Sequence, residues 1–266
     1  MKGKVHTLAF LTFAIMFLLS GIMLLRGRYH SEREKEVNLM LADEVHQAKE
    51  QAEEQKTAPE LWPEQERAAE EVTWELPVLP EYEELWEQNK DLAGWLTIED
   101  LGIDYAVMFT PDDPEYYLHR GGAGEQAKSG SLFIGEGWKE NAGNTIIYGH
   151  HMKDGTMFGK LVKYRSENYA RKHPHVQFDT LREKGKYQIM AAFYSKIYSL
   201  KERDVFRYYW YIDLSSKERF EDYVSEVKKA SLYDTGVGAV YGDQLLTLST
   251  SAIMKRKVDL WWSQKR

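Results

Sequence analysis

The sequence predicts a mainly β domain, either an antiparallel barrel or a sandwich, preceded by an apolar segment and a charged helical stretch. Short runs rich in β-branched and aromatic residues recur from residue 94 onward, and Gly, Asp, Asn or Pro turns separate them. The runs are GWLTIEDLGIDYAVMF, GSLFIGE, NTIIYGH, HVQFDT, KYQIMAAFY and QLLTLST. Several short strands with irregular connections are typical of both architectures.

Composition excludes several classes of function. The chain has 266 residues, enough for one sizeable domain with appendages. Its 35 basic and 42 acidic residues leave a net charge of −7, which argues against a nucleic-acid binder because such a protein needs a basic face. It contains no cysteine, so disulfides, thiolate metal sites and thiol nucleophiles are excluded. His173 and His175 have the spacing of a metal pair, but no third ligand is evident, and we expect neither metal nor cofactor.

The first 28 residues are interpreted as a signal anchor. The stretch 7–25, TLAFLTFAIMFLLSGIMLL, is free of charge and about long enough to cross a bilayer as a helix. It lacks the small-x-small pattern of a cleavage site, although a cleaved signal peptide is the alternative. Basic residues flank both ends of this stretch, so the positive-inside rule does not decide its orientation. The long acidic remainder of the chain favours a single-pass membrane protein with its bulk outside the cell.

Residues 29–76 form the next segment, rich in Glu, Lys, Gln and Ala. The apolar positions within it follow helical spacing only briefly, which predicts a solvated helical stalk, with a partner-binding coiled coil as the alternative. Pro77 and Pro80 interrupt any continuing helix and mark the start of a folded domain over 77–266.

One helix is predicted between the later strands. Ser215 and Glu218 have the spacing of a capping box. The residues after them place one apolar face on a helix: Phe220, Tyr223, Val224 and Val227.

Two predicted strands end in residues that are suited to catalysis. The strand 145–148 ends at Gly149, and His150 follows at its exit. Histidine suits proton transfer near neutral pH, although a lone histidine at a strand end also fits a hydrogen-bonded surface position. The strand QLLTLST ends similarly at Ser251. A nucleophile and a base delivered from two strand ends are typical of covalent catalysis.

Six segments together resemble the class B sortases, membrane-anchored cysteine transpeptidases of Gram-positive bacteria. They occur in the family's order over about two-thirds of the chain, from Leu79 to Thr250: DLAGWLTIEDLGIDYAVM, YYLHR, SGSLFIGE, NTIIYGHHMKDGTMFGKL, SLYDTGV and LLTLST. The resemblance implies an eight-stranded β-barrel with flanking helices. It further implies that His150 is catalytic and that Leu118, Tyr148 and Ser249 line a groove for an NPxTN-like sorting signal. The partners so implied are that signal peptide, a cell-wall precursor amine and, through the N-terminal helix, the membrane.

The chain departs from this family at the centre of its mechanism. The family pattern T-L-x-T-C is replaced by Thr247 to Ser251, so a hydroxyl stands where a thiolate attacks. A serine hydroxyl needs a well-placed general base, which sortases do not supply in the form of a Ser-His-Asp triad. The family's arginine follows eight to ten residues after the cysteine, whereas Arg256, the nearest candidate, is five residues after Ser251.

Three functions remain open. The first is a sortase-like transpeptidase that is inactive or nearly so as written, because loss of a nucleophile usually costs several orders of magnitude in rate. The second is a catalytically dead module that still binds a sorting peptide or partner at the cell surface. The third, a serine hydrolase using Ser251 and His150, lacks an identifiable acidic residue to orient the histidine.

The C-terminal sequence fits a shifted reading frame. Trp261, Trp262 and Ser263 correspond to TGG-TGG-TCN if the serine uses that codon family, and reading one base earlier forces Val-Val. The same frame permits TLSTCSYHEKKGRFVVVAKR, which places cysteine at position 251 and arginine at the position of Asp259. Genuine divergence into a pseudoenzyme is the alternative. As written, KVDLWW alternates apolar residues on one face, so we expect it to pair beside LLTLST and close the barrel.

Overall fold

The computed structural model describes residues 2–57, 77–251 and 257–264. Within these ranges the backbone alone is described at 2–12, 14, 55–57, 251 and 257–264. The chain divides into two compact units, Met1–Met40 and Leu41–Arg266. The second unit contains the strands and the candidate site.

Four α helices occur in the described part of the chain: α1 (Lys2–Thr57), α2 (Pro80–Gln88), α3 (Glu167–Lys172) and α4 (Lys217–Ala230). Short 3₁₀ turns lie at Glu99–Leu101, Tyr116–His119, Leu161–Arg165 and Tyr208–Trp210.

Eight strands in the described ranges form a closed barrel. They are β1 (Leu92–Ile98), β2 (Ile103–Met108), β3 (Leu132–Ile134), β4 (Asn144–His150), β5 (His175–Thr180), β6 (Lys186–Ser195), β7 (Leu245–Ser251) and β8 (Lys257–Gln264). Their order is β1-β2-β3-β4-β7-β8-β6-β5, and pairing between β1 and β5 closes the barrel. The predicted mainly β barrel with flanking helices is confirmed.

The prediction of an antiparallel arrangement is wrong for two strand pairs. β2 runs parallel to β3, and β4 runs parallel to β7. A parallel pair needs a crossover connection rather than a tight turn. The connection from β4 to β7 contains α3, β5, β6 and α4, so the local sequence of either strand does not reveal its neighbour.

The core follows from the alternation of side chains along the strands. Ile147, Leu246 and Leu248 point into the barrel, where each is fully buried. The alternate positions of β4 and β7 face α4, and Ile146 and Leu245 pack there. The first part of the β4–β7 pair is therefore covered on both faces.

α4 begins one residue later than the capping-box spacing predicts. Its N-cap is Ser216, whose hydroxyl accepts a hydrogen bond from the backbone N–H of Arg219. Ser215 instead donates its backbone N–H to the carboxylate of Asp213, which turns the chain just before the helix. The predicted apolar face is confirmed, since Phe220, Tyr223 and Val227 are buried against the barrel and Val224 packs at the cluster's margin.

The N-terminal helix α1 extends to Thr57, and 58–76 of the predicted stalk lie outside the described residues. Ala42 and Val45, which belong to the barrel's unit, are buried in an apolar cluster with Tyr82 of α2. Within the described residues, no helix combines the length and apolar character needed to cross a membrane. The membrane-spanning helix predicted over 7–25 is therefore not supported, and 7–12 and 14 of that segment lie outside the described side chains.

The C-terminal strand β8 pairs antiparallel with β7 on one side and with β6 on the other. Position 262 lies opposite Leu246, and position 258 lies opposite Thr250. The sequence analysis predicted that KVDLWW, residues 257–262, pairs beside β7 and closes the barrel. This prediction is confirmed for the backbone.

Candidate active site

The strands β4 and β7 bring the predicted base and nucleophile positions together. In their parallel register, His150 lies beside Ser251 and Tyr148 beside Ser249. Neighbouring strands are about 4.8 Å apart, so these are adjacent backbone positions. The side chain of Ser251 and the whole of Arg256 lie outside the described residues, and their predicted roles stay predictions.

A groove of about 1190 Å³ runs along the outer face of these strands. The three predicted substrate-binding residues, Leu118, Tyr148 and Ser249, all line it, and so does His150. The other side of the groove contains the turn Tyr208–Trp210. The groove lining therefore includes the end of β4.

His150 is half-buried where it lines this groove, and the structure describes two contacts of its side chain. Its Nε2 atom lies 2.8 Å from the carbonyl oxygen of Leu118. Its ring is stacked against the ring of His119, with 5.5 Å between centroids and 18° between planes. Both contacts come from the 3₁₀ turn Tyr116–His119.

Ser249 forms part of the groove floor rather than a free polar group. It is 1% exposed, and its hydroxyl is hydrogen-bonded to the hydroxyl of Tyr208 at 2.8 Å. This contact ties β7 to the turn Tyr208–Trp210. Substitutions at Ser249 are thus expected to act on the groove wall as well as on any bound peptide.

A second polar network holds the same turn and α4 against the barrel. The side-chain amide of Asn144 donates to the backbone carbonyl of Tyr211 at 2.8 Å and to the hydroxyl of Tyr223 at 3.0 Å. The Asn144 side-chain oxygen accepts from Thr247 at 2.9 Å. The Tyr211 hydroxyl donates to Asp222 of α4 at 2.6 Å, and burial together with this contact raises the pKa of Tyr211 to about 12. The turn is thus fixed by both its backbone and its side chains.

The charges along the groove are unevenly distributed. Among the residues that the structure describes, three carboxylates line it, from Asp113, Glu115 and Glu136, and one guanidinium, from Arg219. Arg219 is also engaged with backbone carbonyl groups, since it donates to those of Asp213 and Trp210. The excess of carboxylates among these lining residues suits the groove to a cationic group.

Sequence reasoning missed the aromatic wall made by Tyr208, Tyr209 and Trp210, all of which line the groove. The available signal was FRYYWYID, a dense aromatic run between β6 and α4. It also missed His119. In the described residues, no group of three or more histidine, aspartate or glutamate side chains has an arrangement that could hold a metal.

No protein-family model matches the chain. Sortase B of Listeria monocytogenes is 36% identical over 177 residues, which cover 65% of this chain and 68% of that relative. Sortase B of Staphylococcus aureus is 29% identical over 175 residues, with coverage of 65% and 68%. The crystal structure of sortase B from B. anthracis in complex with AAEK1 has a TM-score of 0.69 and 25% identity, and the match covers 90% of this chain and 99% of that one.

Proposed function

The chain belongs to the sortase B family, and from that premise we propose that its groove binds the NPxTN-like sorting signal of a surface protein for transfer to a cell-wall precursor amine. One observation carries the proposal. The parallel register of β4 and β7 places His150 beside position 251, and His150 lines a groove large enough for a peptide. A base and a nucleophile held by adjacent strands meet the geometric requirement of covalent acyl transfer.

The reaction proceeds in two balanced steps. In the first, the side chain at position 251 adds to the carbonyl carbon of the scissile peptide bond and gives its proton to His150. The C–N bond then breaks, and the leaving amine takes that proton. In the second, the incoming primary amine attacks the acyl-enzyme, the bond to position 251 breaks, and a new amide forms while the side chain recovers a proton. The carboxylates of Asp113, Glu115 and Glu136, which line the groove, support recruitment of such an amine.

A serine at position 251 makes the first step slow. A thiol is partly ionised near pH 7, whereas a hydroxyl must lose its proton to a base as it attacks. The serine hydrolase alternative would need a carboxylate to orient the histidine. Among the described residues, the hydrogen-bond partner of His150 is the carbonyl of Leu118 rather than a carboxylate, which disfavours that alternative.

A catalytically inert binding module is the second candidate, and a specific observation favours it. The groove, its aromatic wall and its polar floor are all in place although position 251 is serine. Such a module would hold a sorting peptide without cleaving it. In either case we place the barrel at the outer face of the cell membrane, where surface proteins and cell-wall precursors meet.

A peptide-cleavage assay separates these functions. The full chain and its Ser251→Cys variant are incubated with a fluorescently labelled NPxTN peptide, with and without a glycine-based amine. We expect the variant to cleave at least about 10³-fold faster, and the amine to divert product from hydrolysis to transfer. Ser251→Cys combined with His150→Ala serves as the matched control and should lose the gain.

The other outcomes are equally decisive. Fast cleavage by the unaltered chain would establish the serine hydrolase. Binding without cleavage in both forms would favour the inert module, or would point to a missing arginine beyond β7. Absence of binding in both forms would contradict the proposal.

The shifted reading frame remains a prediction about the gene. We expect the genomic DNA at codon 251 to spell cysteine after insertion of one base, and the downstream codons to give an arginine at the position of Asp259. Resequencing this region tests the expectation. Codons that cannot spell cysteine there would leave true divergence of the C-terminus as the explanation.

A further inference from the structure

The turn Tyr116–His119 contacts the ring of His150 in two different ways. The carbonyl oxygen of Leu118 meets the Nε2 edge of the ring at 2.8 Å. The next residue, His119, covers a face of the same ring, with the two planes only 18° apart. The first contact fixes the position of one ring nitrogen, and the second fixes the plane of the ring. Together they restrict rotation of the His150 side chain more than either contact does alone.

The edge contact decides which nitrogen carries the proton. A backbone carbonyl oxygen only accepts hydrogen bonds, so Nε2 of His150 must be the donor. A neutral imidazole has one N–H, and the other nitrogen is then an acceptor. In neutral His150 the proton is therefore on Nε2, and Nδ1 is the nitrogen able to accept a proton.

The stack restricts the plane of the ring. Offset aromatic stacking favours nearly parallel planes at centroid distances of about 4.5–7 Å, and the His119–His150 pair lies within that range. Rotation of His150 out of this plane would break the stack and would also turn Nε2 away from the Leu118 carbonyl. The exposed ring of His119 thus holds the half-buried ring in the one plane where the edge contact is made.

The turn that provides both contacts is itself firmly held. Tyr117 is 1% exposed, and its hydroxyl donates to Asp91 at 2.9 Å and accepts from Asn89 at 2.9 Å. The backbone carbonyl of His119 accepts from the N–H of Ala127 at 3.0 Å. Because the turn is anchored to the body of the protein, its carbonyl and its imidazole are fixed reference points for His150.

Gly130 shows how closely the chain packs around the Leu118 carbonyl. A Cβ atom at this position would lie 2.4 Å from that oxygen, and the backbone of Gly130 has a φ of +59°. A side chain here is therefore excluded by contact as well as by conformation. Glycine at this position allows the carbonyl to stay where Nε2 of His150 meets it.

We propose that His119 is a positioning residue which, together with the Leu118 carbonyl, holds His150 with its proton on Nε2 and its Nδ1 atom ready to accept a proton during acyl transfer. The role in transfer rests on the proposed function of the groove. We call the two contacts of the His150 ring, with the Leu118 carbonyl and with the His119 ring, the clamp. Its effect on the tautomer of His150 can be measured without any reaction.

The first measurement is the tautomer of His150 in the full chain labelled with ¹⁵N. Long-range ¹H–¹⁵N spectra of the imidazole rings show which nitrogen carries the proton, and His150→Gln identifies the signals. We expect the Nε2–H form in the unaltered chain and in His119→Phe, which keeps a stacking ring. His119→Ala should give a mixture of both tautomers. His173→Ala is the matched control, because His173 also contacts a ring, that of Tyr169 at 4.3 Å between centroids, but does not line the groove.

The second measurement is peptide cleavage in the Ser251→Cys background. His119→Ala should lower kcat about tenfold through loss of alignment, with KM changed less than about twofold, and His119→Phe should recover most of the loss. An Nδ1–H tautomer in the unaltered chain, or a His119→Ala spectrum identical to it, would overturn the clamp. A normal kcat in His119→Ala would overturn its role in transfer. If Ser251→Cys cleaves nothing, the proposed transpeptidase fails, whereas the spectra still decide the clamp.

Discussion

The two faces of the β4–β7 pair differ in chemistry. On the inner face, Ile147, Leu246 and Leu248 are fully buried in the barrel. The outer face carries hydroxyl groups at Thr247 and Ser249, which are 0% and 1% exposed. Thr247 and Ser249 are therefore as deeply buried as the inner leucines, but their hydroxyl groups have hydrogen bonds to satisfy.

This difference separates two tasks within the same strands. On the inner face any apolar side chain of suitable volume stabilises the barrel, because hydrophobic burial has no direction. On the outer face each hydroxyl meets a named partner, Thr247 with Asn144 and Ser249 with Tyr208. Directional contacts of this kind fix where α4 and the aromatic turn lie, and thereby define the groove beside His150.

The largest effect is expected on the inner face. Leu248→Ala removes a fully buried side chain from the core cluster and leaves a cavity, so the free energy of unfolding should fall by about 2–5 kcal/mol. Urea unfolding followed by circular dichroism measures it. Leu232→Ala, at a side chain that is 44% exposed, is the control and should cost less than about 1 kcal/mol. Equal losses at the two positions would contradict the assigned inner face.

A smaller loss is expected where the outer face joins α4. Asn144→Ala removes the hydrogen bonds to the Tyr211 carbonyl and to the hydroxyls of Tyr223 and Thr247. Buried polar groups left in a poorer hydrogen-bonding environment should lower the free energy of unfolding by about 1–3 kcal/mol. The same unfolding assay applies, with the exposed Asn168→Ala of α3 as control. The affinity of Asn144→Ala for the peptide should also fall, because the turn Tyr208–Trp210 loses the hydrogen bond that follows it at the Tyr211 carbonyl. A stable variant with unchanged peptide affinity would mean that the hydrogen bonds of Asn144 do not shape the groove.

The two strands themselves were readily predicted from sequence. The short β-rich runs NTIIYGH and QLLTLST identify both strands and their ends, and the family resemblance adds the barrel. The parallel pairing of β4 with β7 could not be predicted from either segment, because it depends on a long connection. Likewise, the docking of Ala42 and Val45 was missed because two apolar side chains make too weak a pattern within a charged helix.

Candidate residues at strand ends could be named from the sequence, whereas Leu118 was the one turn residue named, through the family resemblance. His150 and Ser249 line the groove, since strand geometry fixes where such residues emerge. His119 and Tyr208 reach the same place from 3₁₀ turns, and no periodicity marks a turn residue that folds toward a site. The capping residue of α4 was misplaced by one position for a similar reason, a local side-chain contact from Asp213.

The contact between Tyr208 and Ser249 allows a finer test of the outer face. A double-mutant cycle with Tyr208→Phe and Ser249→Ala should give a coupling energy of about 1 kcal/mol, because each single change leaves the other hydroxyl without this partner. Unfolding in urea and peptide binding by fluorescence anisotropy are both measured. Additive losses would show that the two hydroxyls do not stabilise each other and that the groove floor is held by packing alone.

The smallest effect on peptide binding is expected at a buried polar contact whose residues do not line the groove. Its loss separates the general cost of removing a buried polar contact from a specific role in the site. Glu81 of α2 is 4% exposed and lies 2.7 Å from the ammonium group of Lys184. Burial pushes the pKa of Glu81 upward, but the contact with Lys184, a backbone hydrogen bond and the charge of Lys49 outweigh it, so the net pKa is lowered.

A lowered folded-state pKa means that ionised Glu81 stabilises the fold above its unfolded value, about 4.3, and that this contribution is lost as the pH falls through the folded pKa. Glu81→Gln should therefore cost about 1 kcal/mol at pH 7, since Lys184 is half-exposed and can be solvated, and the difference from the unaltered chain should shrink below about pH 4. Unfolding measured from pH 7 to pH 3 tests this, with the exposed Glu83→Gln of the same helix as control. Peptide affinity should not change, because Glu81 does not line the groove. If Glu81→Gln lowered peptide affinity together with stability, the hydrogen bonds on the outer face of β4–β7 would have no specific role in shaping the groove. A buried polar contact elsewhere in the protein would then affect peptide binding to the same extent.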